Sequence, residues 1–487
     1  MSITKSLAIS YLEKYGLMLI NLGSSLVIAR LLSPSEIGIF SVAAFVVSLA
    51  HTLRDLGVNS YIIQEKQLSA DRLRSAQFLT LFMSWSIAVC LVALSDQLSH
   101  YYAEPQVQKI LLVLAINFLV LPFGSITAAL LRRDLAFAQL SIINILASIA
   151  QTVTSISLAF LDNGVISLAW GSVAGALVTT GVSILYRKPG QPWLPGIKAL
   201  KRVLDKGAKF SGASVFFDIG QGAPELIAAK VFSFHDAGLL SRGIGTVLLM
   251  HRLLAEAAAS VMISHFAFLL RNQPELFRTK YISSCANMAT LTWPAFACLA
   301  FVSIDLIKLL YGEAWIGAAP LASILCISAS AWSLSAISGS VIVGSGHANL
   351  SFKLQATLMF FRIFSCLIGS QYGVLGITTG MVIADVTGAG LQAIVLGKKF
   401  GIKLNVLIIA LARPLGIAGI IAATTYLIRI YLTNLTELSR LLIILPSIVL
   451  LWAILLPLFN QSLWQDLNNF KTSVIEKLLG KSKNANS

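Results

Sequence analysis

Charge is what this 487-residue sequence has least of. Asp, Glu, Lys and Arg make up only 12 % of it, against 56 % hydrophobic residues, and the mean hydropathy is +0.82. Ordinary soluble domains carry about 25 % charged residues because a surface facing water needs them. A chain with half that share cannot coat the roughly three soluble domains its length would otherwise suggest. Paired cysteines are missing as well. Cys90, Cys285, Cys298, Cys326 and Cys366 all fall in apolar stretches, none in a CxxC, so they read as small core residues and not as a disulfide framework or metal ligands. Met1 to Ser10 has no basic region, apolar run and cleavage site of a secretory signal, so the first hydrophobic stretch is expected to stay in the mature protein. Gly344-Ser345-Gly346-His347 lacks the Lys and the spacing of a phosphate loop, which excludes a nucleotide site there.

What the sequence has is apolar runs of bilayer length. A hydrocarbon core needs about 20 apolar residues per helix, and fourteen candidates meet that need. They are Tyr11–Leu32, Gly38–Leu53, Gln77–Leu94, Ile110–Leu130, Leu140–Phe160, Gly164–Tyr186 and Phe210–Phe232. Then follow Ile244–Phe268, Ser283–Val302, Ala318–Val343, Phe352–Ser370, Val374–Leu396, Leu411–Ile430 and Leu441–Phe459. The chain therefore reads as an all-α polytopic membrane protein with about 14 transmembrane helices.

Lys and Arg outnumber Asp and Glu by 36 to 21, a formal charge of +15. In a soluble protein that excess would suggest nucleic acid. Among membrane spans it sets topology, because basic residues collect in cytoplasmic loops. With the N-terminus inside, 27 of the 36 fall on the cytoplasmic side, seven on the other side, and two (Arg252 and Arg362) within spans. Both termini are expected in the cytoplasm, and no nucleic-acid partner is expected.

The longest polar connection, Arg187–Lys209, divides the first twelve spans into six and six. Residues 26–53 align without gaps on 226–253, with identities at Leu26/Leu226, Ala29/Ala229, Ser33/Ser233, Gly38/Gly238, Ser41/Ser241, Val47/Val247, Leu49/Leu249, His51/His251 and Leu53/Leu253. Charge is kept too, Arg30 opposite Lys230 and Glu36 opposite Asp236. An even number of spans separates the copies, so the repeat is parallel, the arrangement of transporters that rock two bundles about a central site. The expected division is an N-terminal six-helix bundle (1–186), a basic cytoplasmic linker (187–209), a second six-helix bundle (210–400), two additional spans (401–460) and a cytoplasmic tail (461–487).

Charges inside spans cost about 2.5 to 3.5 kcal/mol each, so they are expected to face a cavity or a partner. Span seven carries Asp218 and Glu225, seven residues apart on one helix face; span eight carries His251, Arg252 and Glu256, the last two at i,i+4. Arg362 lies in span eleven and Asp385 in span twelve, at matching depths of about 15 to 20 Å by helical rise, so they are expected to form an ion pair or share a polar network. In the first half the counterparts are His51, with Glu13 and Lys14. Gly212, Gly220, Gly222 and Pro224 are expected to break span seven beside Glu225. Arg30, Lys230 and Arg242 sit at outer span ends, either snorkelling to the interface or ringing a cavity mouth. The acidic group, with His251, is the candidate for ion coupling or a polar network, and Arg30, Lys230, Arg242, Arg252 and Arg362 are the candidates for lining a substrate cavity. Gly171/Gly175 and Gly376/Gly380 have the spacing of close helix contacts.

The segment Ile28-Ala29-Arg30-Leu31-Leu32-Ser33-Pro34-Ser35-Glu36-Ile37-Gly38-Ile39-Phe40 resembles the first-loop signature of bacterial polysaccharide transporters. Glu225-Leu226-Ile227-Ala228-Ala229-Lys230, running on to Gly238-Leu239-Leu240-Ser241-Arg242, resembles it again. So do Trp293-Pro294 and Leu306-Ile307-Lys308-Leu309-Leu310-Tyr311-Gly312-Glu313-Ala314-Trp315. The resemblance is to the oligosaccharide repeat-unit flippases of the multidrug/oligosaccharidyl-lipid/polysaccharide superfamily, with Leu240 standing where an aromatic is expected. It implies a flippase of the bacterial inner membrane, not an enzyme, moving an undecaprenyl-pyrophosphate-linked oligosaccharide by alternating access for exopolysaccharide, capsule or O-antigen synthesis. It implies no cofactor beyond a coupling H⁺ or Na⁺. Its partners would be the lipid-linked oligosaccharide, membrane lipids, and a polysaccharide polymerase with its assembly proteins. A fixed set of Arg and Lys suits a pyrophosphate. The alternatives are a murein-precursor flippase or a multidrug/cation antiporter of the same superfamily, and, less well supported, a membrane polymerase or ligase, which should carry a large periplasmic loop that this sequence lacks.

Tags fused after Ser487 and within Arg187–Lys209 should report cytoplasm, and a tag between Asn434 and Ser439 should report periplasm. A periplasmic signal from Arg187–Lys209 would reverse the assignment.

Overall fold

The computed structural model describes residues 3–459 and 463–465, apart from 56, 66 and 193. Every regular element among them is helical: α1 (Ile3–Leu31), α2 (Pro34–Asp55), α3 (Val58–Gln64), α4 (Ala70–Tyr102), α5 (Pro105–Val120), α6 (Pro122–Arg133), α7 (Phe137–Phe160), α8 (Ile166–Leu185) and α9 (Leu200–Val231). Then come α10 (Phe234–His251), α11 (Ala257–Asn272), α12 (Pro274–Tyr311), α13 (Ala318–Gly344), α14 (Ala348–Gly369), α15 (Gly373–Phe400), α16 (Leu404–Tyr431) and α17 (Glu437–Phe459). A helix underlies each of the fourteen expected spans. Nine segments among the described residues are long and apolar enough to cross a bilayer, and the bent α5–α6 pair makes a tenth. The expected tail 461–487 lies outside the described residues, save 463–465.

Four local features differ from the sequence reading. Expected span four is two helices meeting at 55°, because Pro122 opens α6 and has no N–H to continue the α5 ladder. Expected span seven is not broken: α9 runs unbroken through Gly212, Gly220, Gly222 and Pro224. Its glycines serve close packing, since a Cβ at Gly222 would lie 1.7 Å from the Phe45 ring and one at Gly212 2.9 Å from the Phe352 ring. The break falls in span eight instead, where Arg252–Glu256 forms a π turn between α10 and α11. Such wide turns recur at functional positions in helices. Finally, α9 starts at Leu200, so the last ten residues of the expected polar connection are helical, and Val203 is buried with Tyr61, Ile62, Leu79 and Ala129.

The chain packs as two compact units. The first comprises Met1–Arg242, Leu310–Trp315 and Ala348–Gly380. Its core is an apolar cluster of α2, α4, α5 and α8 around Phe118, Leu111 and Ala169. The small-residue spacing of α8 acts as expected, for Cβ atoms at Gly171 and Gly175 would press into Ser155 and Gln151 of α7. Gly376 and Gly380 likewise meet Gly369 and Ser365 backbone of α14. The short α3 is not expected from the sequence; it begins after Gly57, whose φ of +69° suits a residue without a Cβ, and Arg133 donates to the Ile62 and Glu65 carbonyls at 2.6 and 2.5 Å.

The second unit comprises Gly243–Leu309, Ile316–His347 and Met381–Ser487. Cys298 and Val302 of α12 pack against Ile417, Ile421, Ile444 and Ile448 of α16 and α17. At one end of that interface Asp305, 2 % exposed, accepts from Arg429 at 3.0 Å and from Arg440 at 2.7 Å. Lys308 and Glu437 pair beside it at 2.9 Å. Four cysteines are buried as expected, whereas Cys90 is exposed on α4; all five are free.

Replacing Asp305 with Ala leaves two arginines facing an apolar interface. The loss should lie toward the low end of about 3–5 kcal/mol, since Arg429 is partly exposed, and Asp305→Glu should recover part of it. Thermal unfolding of the detergent-solubilised protein measures both.

Candidate functional site

The α1–α2 and α9–α10 turns are copies of one design. Ser33 at the start of α2 donates from its hydroxyl and its backbone N–H to Glu36, each at 2.8 Å. At the start of α10 the Ser233 hydroxyl donates to Asp236 at 2.7 Å, and the Asp236 N–H returns a bond at 3.1 Å. Both are N-terminal capping boxes, which explains why Ser and an acid recur at an offset of 200 residues. The two helices cross at the next matched pair. A Cβ on Gly38 would lie 1.8 Å from the Phe234 carbonyl oxygen, and one on Gly238 would lie 1.9 Å from the Pro34 carbonyl oxygen. Positions 34 and 38 meet 234 and 238 reciprocally, so the contact is a local twofold between the repeat copies.

Aromatic residues of two further turns close over this crossing. Lys230 donates to the Tyr101 carbonyl and lies 4.1 Å from the centre of the Tyr101 ring. The Trp315 indole donates to the Ala29 carbonyl at 2.7 Å. Arg242 lies 4.6 Å from both the Tyr311 and Trp315 rings, a cation–π arrangement, and donates to Ser25 at 2.6 Å. Tyr101 precedes the α4–α5 turn and Tyr311 precedes Trp315 in the corresponding turn of the second half, so each half contributes an aromatic cap over the first helix of the other.

Along α2 from this closed end runs a cavity of about 600 Å³, lined by Phe40, Ser48, His51, Thr52, Arg54 and Asn59 among others. Arg54 is sixteen residues from Gly38, about 24 Å by helical rise. Its Nη1 is enclosed and has no hydrogen-bond partner among the described residues. Thr52 donates to Asp218 of α9 at 2.5 Å, and the His51 ring stacks on Phe118 at 4.5 Å between centroids. Nearby, Glu13 of α1 accepts from Ser141 at 2.6 Å and Asn144 at 2.7 Å, both on α7.

Of the sequence candidates, Arg30, Lys230, Arg242, Arg362, Asp218 and Glu225 belong to the first unit. Lys230 and Arg242 have the partners just described, Arg30 is exposed, and Arg362 is buried on α14. Glu225 is half-buried on α9, one residue past Pro224. His251, Arg252, Glu256 and Asp385 belong to the second unit. There His251 is buried between Phe296, at 6.4 Å, and the Trp332 edge, at 5.9 Å. The expected i,i+4 register of Arg252 and Glu256 falls within the π turn, and the Glu256 side chain lies outside the described residues. Leu240 is fully buried, packing where the resemblance led to an aromatic. Among the described residues no group of three or more His, Cys, Asp or Glu can hold a metal. The second unit also has a crevice of about 560 Å³, but its Tyr281 and Trp293 are already bonded to Ser338 and Ser330.

Arg54 is not among the sequence candidates, because the sequence alone places it with the loop cations. A signal exists all the same: Arg54 is one residue past the expected span, and α2 runs on to Asp55.

An internally repeated, all-helical membrane fold with a polar cavity closed at one end by its two repeat copies defines a polytopic transporter architecture. Solved structures agree: the fold matches "Lipid II flippase MurJ, inward closed conformation", with a TM-score of 0.78 over 94 % of this chain and 99 % of that one at 15 % identity. It also matches a crystal structure of MATE, with a TM-score of 0.54 over 81 % of this chain and 96 % of that one at 17 % identity. The chain belongs to the polysaccharide biosynthesis protein family, whose model matches residues 27–320. It is 25 % identical to the Lipopolysaccharide biosynthesis protein WzxC of Escherichia coli (strain K12) over 76 % of each chain. It is 21 % identical to the Succinoglycan biosynthesis transport protein ExoT of Rhizobium meliloti (strain 1021), over 67 % of this chain and 66 % of that one.

Because the crossing is reciprocal, Gly38→Ala and Gly238→Ala should act alike, forcing the α2 and α10 backbones apart. In a Cys90→Ser background, Ile37→Cys should react faster with a membrane-impermeant thiol reagent when either Ala is present. Unequal effects would refute the local twofold.

Proposed function

We propose that this protein moves an oligosaccharide repeat unit, carried on undecaprenyl pyrophosphate, from the cytoplasmic to the outer leaflet of the bacterial inner membrane by alternating access. The observation that carries this reading is the first-unit cavity, with an unsatisfied arginine at one end and the two repeat copies meeting at the other. Family membership and the names of the relatives, one a lipopolysaccharide biosynthesis protein and one a succinoglycan transport protein, point the same way.

Arg54 would hold the pyrophosphate. A guanidinium presents planar paired donors to phosphate oxygens, and its enclosed, unpartnered Nη1 gains more from an anion than a solvated lysine would. The neighbouring His51, Asn59 and Thr52 supply further hydrogen-bonding groups for the headgroup or first sugar. The polyprenyl tail stays in the bilayer, so the cavity need take only the polar part. Opening the α2–α10 crossing would then release that part on the other face. No bond is made or broken, so the protein is not an enzyme in this reading. Coupling to H⁺ or Na⁺ would use the intramembrane acids, Asp218, Glu225, Glu256 and Asp385 from the sequence reading and Glu13 from the geometry. A polymerase and its assembly proteins would take the product.

The similarity to a lipid II flippase structure supports a second reading, a murein-precursor flippase, whose substrate carries the same pyrophosphate. Deletion followed by analysis of lipid-linked intermediates separates the two. Under the first reading, oligosaccharide repeat units accumulate on the cytoplasmic face while murein precursors do not. In the same assay Arg54→Ala should reproduce the deletion at normal protein level, and Arg54→Lys should retain part of the activity, with a loss of at least tenfold from the missing paired donor, about 1.4 kcal/mol or more. Full transport by Arg54→Ala would remove the arginine from the mechanism.

A further inference from the structure

Asn117 of α5 is 2 % exposed, and its amide Nδ2 donates at 2.9 Å to the Ser172 hydroxyl of α8. The amide oxygen has no hydrogen-bond partner among the described residues. A buried acceptor left unmet lowers stability, and such a group in a folded protein calls for an explanation. A leucine is close to the same size and would suit a helix already buried through Leu111, Leu114 and Phe118, without that cost. What the amide adds at this position is its bond to Ser172.

Ser172 in turn differs from other helical serines of this protein. Ser41, Ser125 and Ser330 donate back to a carbonyl three or four residues earlier, the ordinary use of a hydroxyl within a helix. Ser172 accepts from Asn117 and donates to no group among the described residues. A hydroxyl has one hydrogen, and this one is left for the cavity that Ser172 lines.

Both residues lie toward the closed end from Arg54. Gly164, just before α8, packs against Glu36 near the start of α2, so α8 starts at the closed end and Ser172 is eight residues further along. Phe118, next to Asn117, stacks on His51 of α2 at 4.5 Å. These contacts set the pair between the levels of Ala44 and His51, about 5 to 15 Å from Arg54 by helical rise. The wall there is formed by Ala44, Val47, Ser48, Leu114 and Ser172, none of them charged; charge is confined to Arg54 and Asp55 at the other end of the lining. Apolar contact with a few placed hydrogen-bonding groups is how a pocket fixes the orientation of a ligand. Methyls and hydroxyls match a sugar ring, with C–H bonds on its faces and hydroxyls at its edge, and do not match a second anion.

We propose that Ser172 and Asn117 form the subsite for the sugar bonded directly to the pyrophosphate. Ser172 donates to an oxygen of that sugar. Asn117 is a positioning residue: it does not touch the sugar, but holds the Ser172 oxygen as an acceptor, so that the hydrogen stays on the cavity side. Without that bond the hydrogen can turn back to the Leu168 carbonyl, four residues earlier, and the donor is lost to the ligand. A bare polyprenyl pyrophosphate leaves the subsite empty, so the cavity favours a loaded carrier over a spent one by the difference of the two affinities. The assignment rests on the transport reading for the identity of the ligand and on the Asn117–Ser172 geometry for the place of the donor.

Equilibrium binding to the purified full chain tests this with bare undecaprenyl pyrophosphate and with the same carrier bearing one glucose, one galactose or one N-acetylglucosamine. The parent should bind at least one glycosylated carrier about tenfold more tightly than the bare one, which is what about 1.4 kcal/mol from one hydrogen bond supports. Ser172→Ala and Asn117→Leu should each cut that preference to about twofold or less, with the double variant no worse than either and affinity for the bare carrier kept. Asn117→Leu should melt no lower than the parent, since it removes an unmet buried acceptor. The proposal is overturned by a parent with no preference for any of the three sugars, by a preference that survives Ser172→Ala, by losses that add in the double variant, or by a lower melting temperature for Asn117→Leu. If the preference is lost as described but deletion of the gene leaves lipid-linked oligosaccharides undisturbed, the subsite stands and the transport reading fails. If deletion makes them accumulate but Ser172→Ala keeps the preference, the subsite alone fails.

Discussion

Backbone against backbone at Gly38 and Gly238 is the contact on which the organisation of the first unit rests. Neither position has room for a single carbon, so α2 and α10 approach as closely as two helices can. Everything nearby serves that approach. The capping boxes at Ser33 and Ser233 fix where the two helices start, and therefore which residues arrive at the crossing. Aromatic caps from the α4–α5 turn and from Tyr311–Trp315 cover the carbonyls and cations that the turns expose. Because the interaction is between main chains, it carries little side-chain specificity and leaves little to unlock, as suits a contact that must form and part repeatedly.

The bilayer makes much of this legible in advance. Lipid demands apolar runs of a set length, and a helix lies under every run so identified. The uneven spread of Lys and Arg between alternate connections is likewise a property of composition along the chain. Depth and partnership are not displayed in the same way. Arg54 reads as a loop cation because a span's end is set by where the helix stops, and α2 continues to Asp55. The matched glycines announce themselves as a repeat, yet their mutual contact is a fact of three-dimensional symmetry that alignment does not contain.

The breaks are harder still. Glycine and proline in span seven argue for an interrupted helix, but Pro224 is tolerated where neighbouring helices satisfy the freed backbone, and the glycines are occupied by Phe45, Phe352 and Met359. Arg252–Glu256 holds neither glycine nor proline, and there the helix widens into a π turn. Similarly, Asp305 carries no local mark of its role. Its partners are 124 and 135 residues away, and only folding shows that one acid anchors the last two helices to α12.

Repeat symmetry also clarifies why the paired residues diverge where they do. Positions that meet across the local twofold, 34 with 238 and 38 with 234, must suit each other, and small or carbonyl-presenting residues recur there. Glu225 has no acidic counterpart at position 25, where Ser25 stands. Ser25 instead accepts from Arg242, giving the opposite copy a cation held by rings. The duplicated scaffold supplies both helices of the crossing, and the departures from duplication give each copy its own partners.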